Sequence, residues 1–493
     1  EGAGQRGGDR EAARARVGTM NASGISLKGR RMYTPSEIGS GGLFILVLSG
    51  SVLVRVIALI LVSDFPMIAD SHGYHDQALS LLRGHAFTPY FPPGTSLYLV
   101  PFYLIFGDGL FVGRIAFLTL WIVFAILFYL IVRSLTSETA ALVGVVALSL
   151  FPDWIYQSIL VWSQLLTATC IISVVWLARV LGQRQSCEHK GILAISLGTV
   201  LGFTILVRPS ALLIVIAVLP YLAIKGLGVK RLFMIFAALV VVIIAWIAKT
   251  YQMTGHMIFI NTANSYNLFL GNNEFTPLYR TWLLSWDEVN RPPEYLELME
   301  QLKQNRVDTL DSLYRQAAVE HILERPDLFV IRTFNRVRAY WGYDVFAGQH
   351  FVRSYGVSPL ISGAVILGNA IVWFVLISLA LLFLTTPLRK ALPLEEILLI
   401  LGIVVTYSMS VWVVFSHPNY HFPIVPLVTI MASIAAESVL KHLRKRGVSF
   451  KELVRSLSHY RLFALSWLTF LCIQFEWSLI VYLEYANGGY GIW

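Results

Sequence analysis

The feature that most constrains this chain is a series of long apolar segments separated by short polar connections. Each segment holds about 16 to 25 mostly apolar residues, which is near the length that crosses a bilayer as a helix. Hydrophobic residues make up 56% of the 493 positions and charged residues only 14%, whereas roughly a quarter of a soluble domain is charged. The sequence therefore predicts an all-α polytopic membrane protein and excludes a water-soluble one.

We expect about eleven transmembrane helices. The predicted spans lie near 41–62, 112–133, 138–153, 159–180, 191–207, 210–224, 232–249, 358–384, 394–414, 422–437 and 463–482. Two of them, 138–153 and 210–224, are short for a span.

The distribution of lysine and arginine predicts the orientation. The formal charge is +9, and the basic residues recur in alternate connections between the apolar segments. Because such residues resist translocation, these connections and the N-terminus are expected in the cytoplasm. The basic residues are not gathered on one soluble face, which argues against a nucleic-acid partner. A bacterial inner membrane is the expected location.

The same pattern divides the chain into four regions. Residues 1–40 form a cytoplasmic N-terminal tail, of which 1–19 precede a natural start at Met20. An N-terminal transmembrane module follows at 41–249 and contains a first outer loop, 63–111. Residues 250–357 form a mixed outer-face loop domain, and residues 358–493 a C-terminal transmembrane module.

The first outer loop predicts two helices lying on the membrane surface. The first runs from Ser71 to Arg83 and is closed by Gly84. The second begins after Pro92-Pro93-Gly94, since proline is tolerated at a helix start. Asp70, just before the first helix, fits two roles: a helix cap, which is the commoner use of such a residue, or a general base.

Several motifs in this order resemble the GT-C membrane glycosyltransferases, most closely the protein mannosyltransferase and aminoarabinose transferase (ArnT) branch. The motifs are Asp70, Tyr74, Ala78, Gly84, Pro92-Pro93-Gly94, Pro101 and Phe106-Gly107, then Leu206 through Ser210, Gly271-Asn272-Asn273, and His417-Pro418-Asn419-Tyr420. They span most of residues 41–437 and all fall on the predicted outer side.

The resemblance implies an enzyme that moves a sugar from a polyprenyl phosphate to a glycan, lipid or protein acceptor on the outer, periplasmic face. It makes Asp70 the catalytic residue. The expected substrate-binding residues are Tyr74, Asp76, Arg208, Asn272, Asn273, Arg336, His417 and Tyr420. Ser71 and Gln164 stand where many relatives carry acids, so no metal site and no cofactor are expected, although a divalent ion is left open.

The expected mechanism is an inverting transfer. Asp70 would take the proton of the attacking hydroxyl, while Arg208 and His417 stabilise the leaving phosphate. Two alternatives stay open. One is an O-antigen ligase or polymerase that uses a diphosphate-linked glycan. The other is a lipid or sugar transporter, although transporters usually carry ionisable residues at the bilayer midplane.

Three further predictions concern residues outside this set. Arg332, Arg336 and Arg338 are expected to form a stripe facing lipid headgroups. Arg55, in the first span, is expected to pair with Glu476 in the last. Trp162 and Trp412 are interpreted as interfacial aromatic residues.

Overall fold

The computed structural model describes residues 35–63, 70–183, 189–279, 291–303, 307–414, 416–446 and 460–486. Most of the predicted N-terminal tail, including Met20, lies outside them. The chain separates into two units, residues 1–45 and 46–493. The first contributes the start of helix α1, and every contact given below lies within the second.

All regular secondary structure in the described residues is helical. The α-helices are α1 (Pro35–Leu61), α2 (Asp70–Arg83), α3 (Pro93–Phe106), α4 (Leu110–Leu135), α5 (Glu138–Leu150), α6 (Pro152–Gln157), α7 (Ser163–Gly182), α8 (Lys190–Val207), α9 (Val215–Ile224), α10 (Val229–Thr254), α11 (Ala263–Gly271), α12 (Pro293–Lys303), α13 (Val307–Glu324), α14 (Pro326–Tyr340), α15 (Phe346–Tyr355), α16 (Pro359–Thr385), α17 (Leu394–Trp412), α18 (Val425–Arg446) and α19 (Arg461–Ala486). Short 3-10 helices occupy Pro209–Ile214, Pro387–Ala391 and Pro418–Ile424.

The helices match the predicted spans in position. Within the described residues, nine are long and apolar enough to cross a bilayer, and each of the eleven predicted spans contains a helix. The two predicted as shortest account for the difference, because Glu138–Leu150 and Pro209–Ile224 remain short apolar segments. In hydrocarbon a helix satisfies its own backbone hydrogen bonds. The all-α polytopic fold class is confirmed, and within the described residues nine of the roughly eleven expected spans reach spanning length.

The two helices predicted between residues 63 and 111 are both present. Helices α2 and α3 occupy the two amphipathic stretches. Gly84, directly after α2, has a positive φ of 69° that only glycine adopts readily. Pro93 is the first residue of α3, where its missing N–H costs nothing.

The predicted pair between Arg55 and Glu476 is wrong. The Arg55 guanidinium is fully buried; it donates to the Ser51 hydroxyl at 2.7 Å and stacks on Trp121 at 3.6 Å from the ring centroid. Glu476 instead pairs with Arg338, with 2.7 Å between carboxylate oxygen and guanidinium nitrogen. A hydroxyl and an indole ring thus accommodate the arginine without an acid.

Two other predictions are corrected by burial. Trp162 lies in the interior, with its ring 4.4 Å from that of Phe346. Arg332 and Arg336 are also buried, so they form no headgroup-facing stripe. Arg332 donates to the carbonyl of Thr276. The arginines of α14 hold the outer segments together from inside.

Candidate active site

Arg208 directly follows the last residue of α8. Proline cannot continue the helix, and it forces the residue before it into an extended conformation. Arg208 accordingly has φ −152° and ψ 111°, and a 3-10 helix begins at Pro209. The break directs one arginine out of an otherwise apolar helix end.

The Pro92-Pro93-Gly94 motif places the first outer loop against this break. A Cβ atom on Gly94 would lie 2.5 Å from the backbone nitrogen of Val207, so only glycine fits there. Two residues later the Ser96 hydroxyl donates to the carbonyl of Tyr74 at 2.9 Å. These contacts bring α2, α3 and Arg208 together.

Five side chains form the centre of the site. Asp70 and Arg208 attract each other electrostatically. Tyr74 interacts with both groups, and Tyr407 and Tyr420 interact with Arg208. The Arg208 guanidinium carbon lies 4.9 Å from the centroid of the Tyr420 ring. Its buried Nη1 atom has no hydrogen-bond partner in the described part of the chain. A single carboxylate and a single guanidinium are therefore surrounded by phenols.

The surroundings of Asp70 favour a base over a cap. Its side chain is accessible to solvent, yet protein atoms crowd it on several sides, as at the wall of a recess. Desolvation raises the pKa of Asp70 to about 6, and the Arg208 charge offsets part of that rise. A capping carboxylate that accepts backbone hydrogen bonds would have a lowered pKa instead. A pKa near neutrality suits a general base.

Tyr74 supports the carboxylate from the next turn of α2. Burial raises the pKa of Tyr74, the Asp70 charge raises it further, and a hydrogen bond with Ser163 partly offsets both. The phenol therefore stays protonated and can donate a hydrogen bond. Its position, four residues after Asp70, puts both side chains on one face of the helix.

Sequence reasoning missed Tyr407 and Ser210 at this site. Tyr407 is fully buried near the outer end of α17, next to Arg208 and within hydrogen-bonding reach of Ser210. Neither hydroxyl donates to an acceptor that satisfies ordinary hydrogen-bond geometry in the described residues. A tyrosine near the end of a span fits an interfacial belt equally well, so the sequence carries no signal that singles it out.

His417, the other residue predicted to contact the phosphate, is buried. Burial lowers the pKa of His417 well below its usual value, and His421 and His350 lower it further. Its Nδ1 accepts a hydrogen bond from the backbone N–H of Asn419 at 3.1 Å. A neutral imidazole supplies no positive charge but can still donate a hydrogen bond, so the role of His417 at the leaving phosphate stays a prediction.

Gln164 belongs to a cluster of neutral amides. The Asn419 side-chain oxygen accepts from Gln157 at 3.1 Å and from Gln164 at 3.4 Å. No three histidine, cysteine, aspartate or glutamate residues converge within the described ranges. Since Mg²⁺ and Zn²⁺ sites use carboxylate, imidazole or thiolate ligands, this amide cluster does not fit a metal.

Four predicted binding residues lie elsewhere. Arg336 donates to the carbonyl of Val413 at 3.1 Å and to the Asn272 side-chain oxygen at 3.1 Å. The Asn272 amide nitrogen donates to the carbonyl of Leu268 at 3.0 Å, and that of Asn273 to Phe269 at 2.8 Å. We therefore assign Arg336 and Asn272 a structural role in fixing α11 against the end of α17. Among the described residues, Asn273 bonds only within residues 269–276, at the end of α11.

The fourth, Asp76, is exposed on α2 and points away from the cluster. Its charge acts on His75, whose ring nitrogen lies 2.8 Å from the Tyr103 hydroxyl. Asp76 therefore serves as a second, exposed carboxylate on the helix that carries Asp70.

Fold and site together define an all-α, multi-pass membrane protein with a carboxylate–arginine–tyrosine centre at the end of its spans. Residues 91–251 match the family model described as dolichyl-phosphate-mannose-protein mannosyltransferase. The predicted resemblance to protein mannosyltransferases is thereby confirmed, and it supports a membrane glycosyltransferase as the general class of this chain.

Solved structures show a weaker likeness. ArnT from Cupriavidus metallidurans bound to undecaprenyl phosphate is 15% identical, with 79% of this chain and 77% of ArnT covered and a TM-score of 0.41. The apo form of the same ArnT is 14% identical, with 80% of this chain and 78% of ArnT covered and a TM-score of 0.39. The oligosaccharyltransferase AglB from Archaeoglobus fulgidus, in complex with an inhibitory peptide and a dolichol-phosphate, is 13% identical with a TM-score of 0.46; 84% of this chain aligns to 51%, about half, of AglB. No curated protein is significantly similar in sequence.

Proposed function

We propose that this protein transfers a sugar from a polyprenyl-phosphate donor to an acceptor hydroxyl on the outer face of a bacterial inner membrane, with inversion at the anomeric carbon. The observation that carries the proposal is the pairing of Asp70, whose pKa is about 6, with Arg208, whose Nη1 atom has no partner in the described residues. The Asp70 carboxylate suits removal of a proton, and the Arg208 guanidinium suits binding of an anion.

The donor phosphate is assigned to Arg208, with Ser210 and Tyr407 as neutral donors beside it. Guanidinium groups grip phosphate oxygens through paired hydrogen bonds, and a desolvated site strengthens them. Arg208 lies at the outer end of a spanning helix. A lipid-linked phosphate can reach it while its prenyl chain stays in the bilayer.

Transfer then follows as one displacement. The acceptor oxygen attacks the anomeric carbon and forms the new glycosidic bond, while Asp70 takes the hydroxyl proton. The bond from the anomeric carbon to the phosphate oxygen breaks, and its electron pair leaves with the phosphate. Attack opposite the leaving group inverts the configuration.

The scarcity of acids at the site agrees with this chemistry. Gln164, at a position where the resemblance leads us to expect an acid, donates to the neutral amide of Asn419. A phosphate leaves without being protonated by a general acid, so positive charge and positioning supply most of the remaining stabilisation. The orientation rests on the basic connections between spans, such as the one that carries Lys225, Lys230 and Arg231.

The test is release of polyprenyl phosphate from a polyprenyl-phosphate mannose by purified protein in proteoliposomes, with a total extract of envelope glycans and lipids as acceptor. Asp70→Asn should reduce the rate roughly 100- to 10,000-fold. The matched control, Asp76→Asn, alters an exposed carboxylate on the same helix and should leave the rate near normal.

Normal transfer by Asp70→Asn would reject the base. If a diphosphate-linked glycan is consumed and the monophosphate donor is not, the enzyme is of the O-antigen ligase or polymerase type. Movement of intact donor across the bilayer without cleavage would identify a transporter.

A further inference from the structure

Tyr90 stands in the extended segment that joins the two surface helices, and the second outer loop fixes it there. The backbone N–H of Thr262 donates to the carbonyl of Pro89 at 2.9 Å, and the Asn261 side chain donates to the carbonyl of Tyr90 at 2.9 Å. Residues 89–90 and 261–262 are thus joined although about 170 positions separate them in sequence. The Tyr90 backbone is fixed independently of its side chain.

The Tyr90 ring remains 46% exposed even though its neighbours are packed. It meets Phe91 edge to face, with 5.0 Å between centroids, and Phe91 lies 5.2 Å from Tyr74. An aromatic path therefore leads from the exposed ring to the helix of the base. Large exposed aromatic side chains held in rigid surroundings are common anchors for ligands.

The Tyr90 side chain also interacts electrostatically with Asp70 and with tyrosines of α11 and α13. Burial of part of its surface raises the pKa of Tyr90, and Tyr266, Asp70 and Tyr314 add to that rise. Tyr266 and Tyr314 are packed with 5.1 Å between centroids. The exposed phenol is therefore within electrostatic reach of Asp70 on one side and of Tyr266 on the other.

Neutral amides complete this surface. Helix α11 starts directly after the residues that hold Tyr90, and on it Asn264 is exposed and Asn267 half-buried. Amides both donate and accept, as a row of sugar hydroxyls requires, and an aromatic face suits the apolar side of a sugar ring. A peptide strand would need main-chain carbonyls such as those of Pro89 and Tyr90, which already accept hydrogen bonds.

We propose that Tyr90, Tyr266 and the Asn264 amide form the acceptor subsite, and that the acceptor is a carbohydrate whose free hydroxyl is presented to Asp70. The subsite rests on the proposed function for its meaning, because Asp70 is taken as the base. Its binding chemistry is measurable without any turnover.

The experiment is saturation-transfer NMR with maltotriose and mannotriose as probes, on detergent-purified Asp70→Asn protein that cannot complete the reaction. We expect saturation of sugar-ring protons for at least one trisaccharide. Adding Tyr90→Ala should weaken binding about two- to tenfold, the scale of one lost aromatic contact. Tyr90→Phe should retain most of the binding. Tyr251→Ala removes a similarly exposed ring at the end of α10 and should have no effect.

Three results overturn the proposal: neither trisaccharide binds, Tyr251→Ala weakens binding as much as Tyr90→Ala, or a serine-containing hexapeptide binds in a Tyr90-dependent way. Sugar binding that depends on Tyr90 in a protein with no transfer activity would preserve the subsite and reject the proposed reaction. Sugar transfer by the wild-type enzyme, without any Tyr90-dependent sugar binding, would preserve the proposed reaction and reject the subsite.

Discussion

The carboxyl groups of Asp153 and Asp344 lie within hydrogen-bonding reach of each other in the protein interior, where each residue is only 2% exposed. Asn369 joins the two segments: its side-chain oxygen accepts from the Asp153 N–H at 2.9 Å, and its nitrogen donates to the Asp344 carbonyl at 3.1 Å. Within the described ranges neither acid has an ion-pair partner. A hydrogen bond between two carboxyl groups requires that one of them carry a proton.

This pair predicts a pH-dependent stability. Burial raises the pKa of both acids, and proximity to Asp344 raises that of Asp153 further. The unfolded chain releases its protons above about pH 4, whereas the native pair keeps one, so the free energy of unfolding falls as pH rises through this window. The loss is about 1.4 kcal/mol per pH unit at most for one retained proton.

Thermal melting in detergent between about pH 5 and pH 8 measures the effect. Asp344→Asn retains hydrogen bonding without the charge, so it should flatten the slope, whereas Asp76→Asn should keep it. An identical slope in Asp344→Asn and wild type would show that the pair does not hold the proton.

The rate of transfer should depend on the ionisation of Asp70. With a pKa of about 6, set by burial and moderated by Arg208, kcat/KM should fall tenfold per pH unit below about pH 6 and level off above it. In Arg208→Gln the residual activity should show the inflection at higher pH, because the charge that favours the carboxylate is gone. If kcat/KM instead falls only below about pH 4, the Asp70 carboxylate is solvated in the working enzyme like that of an ordinary aspartate.

Arg208 should be needed for its shape as well as its charge. Arg208→Ala should cost on the order of 2–4 kcal/mol in the barrier, or about two to three decades in rate. Arg208→Lys should recover only part, because lysine cannot donate two parallel hydrogen bonds. Arg83→Ala, which removes an exposed arginine paired with Asp108, is the control. An unaffected Arg208→Ala rate would remove this side chain from the site.

The amide cluster predicts indifference to chelators. Asn419 accepts from both glutamines, and in the described part of the chain no three histidine, cysteine, aspartate or glutamate residues converge to hold a cation. Wild-type transfer should therefore persist in excess EDTA. Gln164→Glu replaces a donor by a buried charge and should lower stability by about 1–3 kcal/mol, measured by melting. A rate that EDTA abolishes and Mg²⁺ restores would contradict the neutral site.

Cysteine labelling tests the orientation. In a background without Cys170, Cys187 and Cys472, a cysteine introduced by Glu324→Cys should react with an impermeant thiol reagent added outside intact cells. One introduced by Lys390→Cys should react only after permeabilisation. Both positions are exposed in the structure. The opposite pattern would invert the assignment of sides.

The sequence predicts those parts of the fold that depend on local pattern. The spans follow from apolar length, and α2 and α3 follow from an amphipathic stretch, Gly84 and a proline pair. Asp70, Tyr74, Arg208 and Tyr420 were named from motifs, and the structure brings these four together. Helices α2 and α3 could thus be predicted because the residues that start and end them lie within a few positions of one another.

Predictions that needed a distant partner were less successful. Arg55 contacts the Ser51 hydroxyl and the Trp121 indole ring and not Glu476. The Asn272 and Arg336 side chains are hydrogen-bonded to each other and to main-chain carbonyls. His417 lost its expected charge because other histidines and apolar groups surround it. Each of these outcomes depends on tertiary contacts, which the sequence around the residue does not predict.

The direct contact between Gly94 and the main chain of Val207 bears on how the protein tolerates different membranes. With no side chain between them, the start of α3 and the residue before Arg208 form one stiff unit. Bilayers of unequal thickness tilt the surrounding spans. This junction is set by protein packing against protein, so we expect it to keep its geometry in bilayers of unequal thickness.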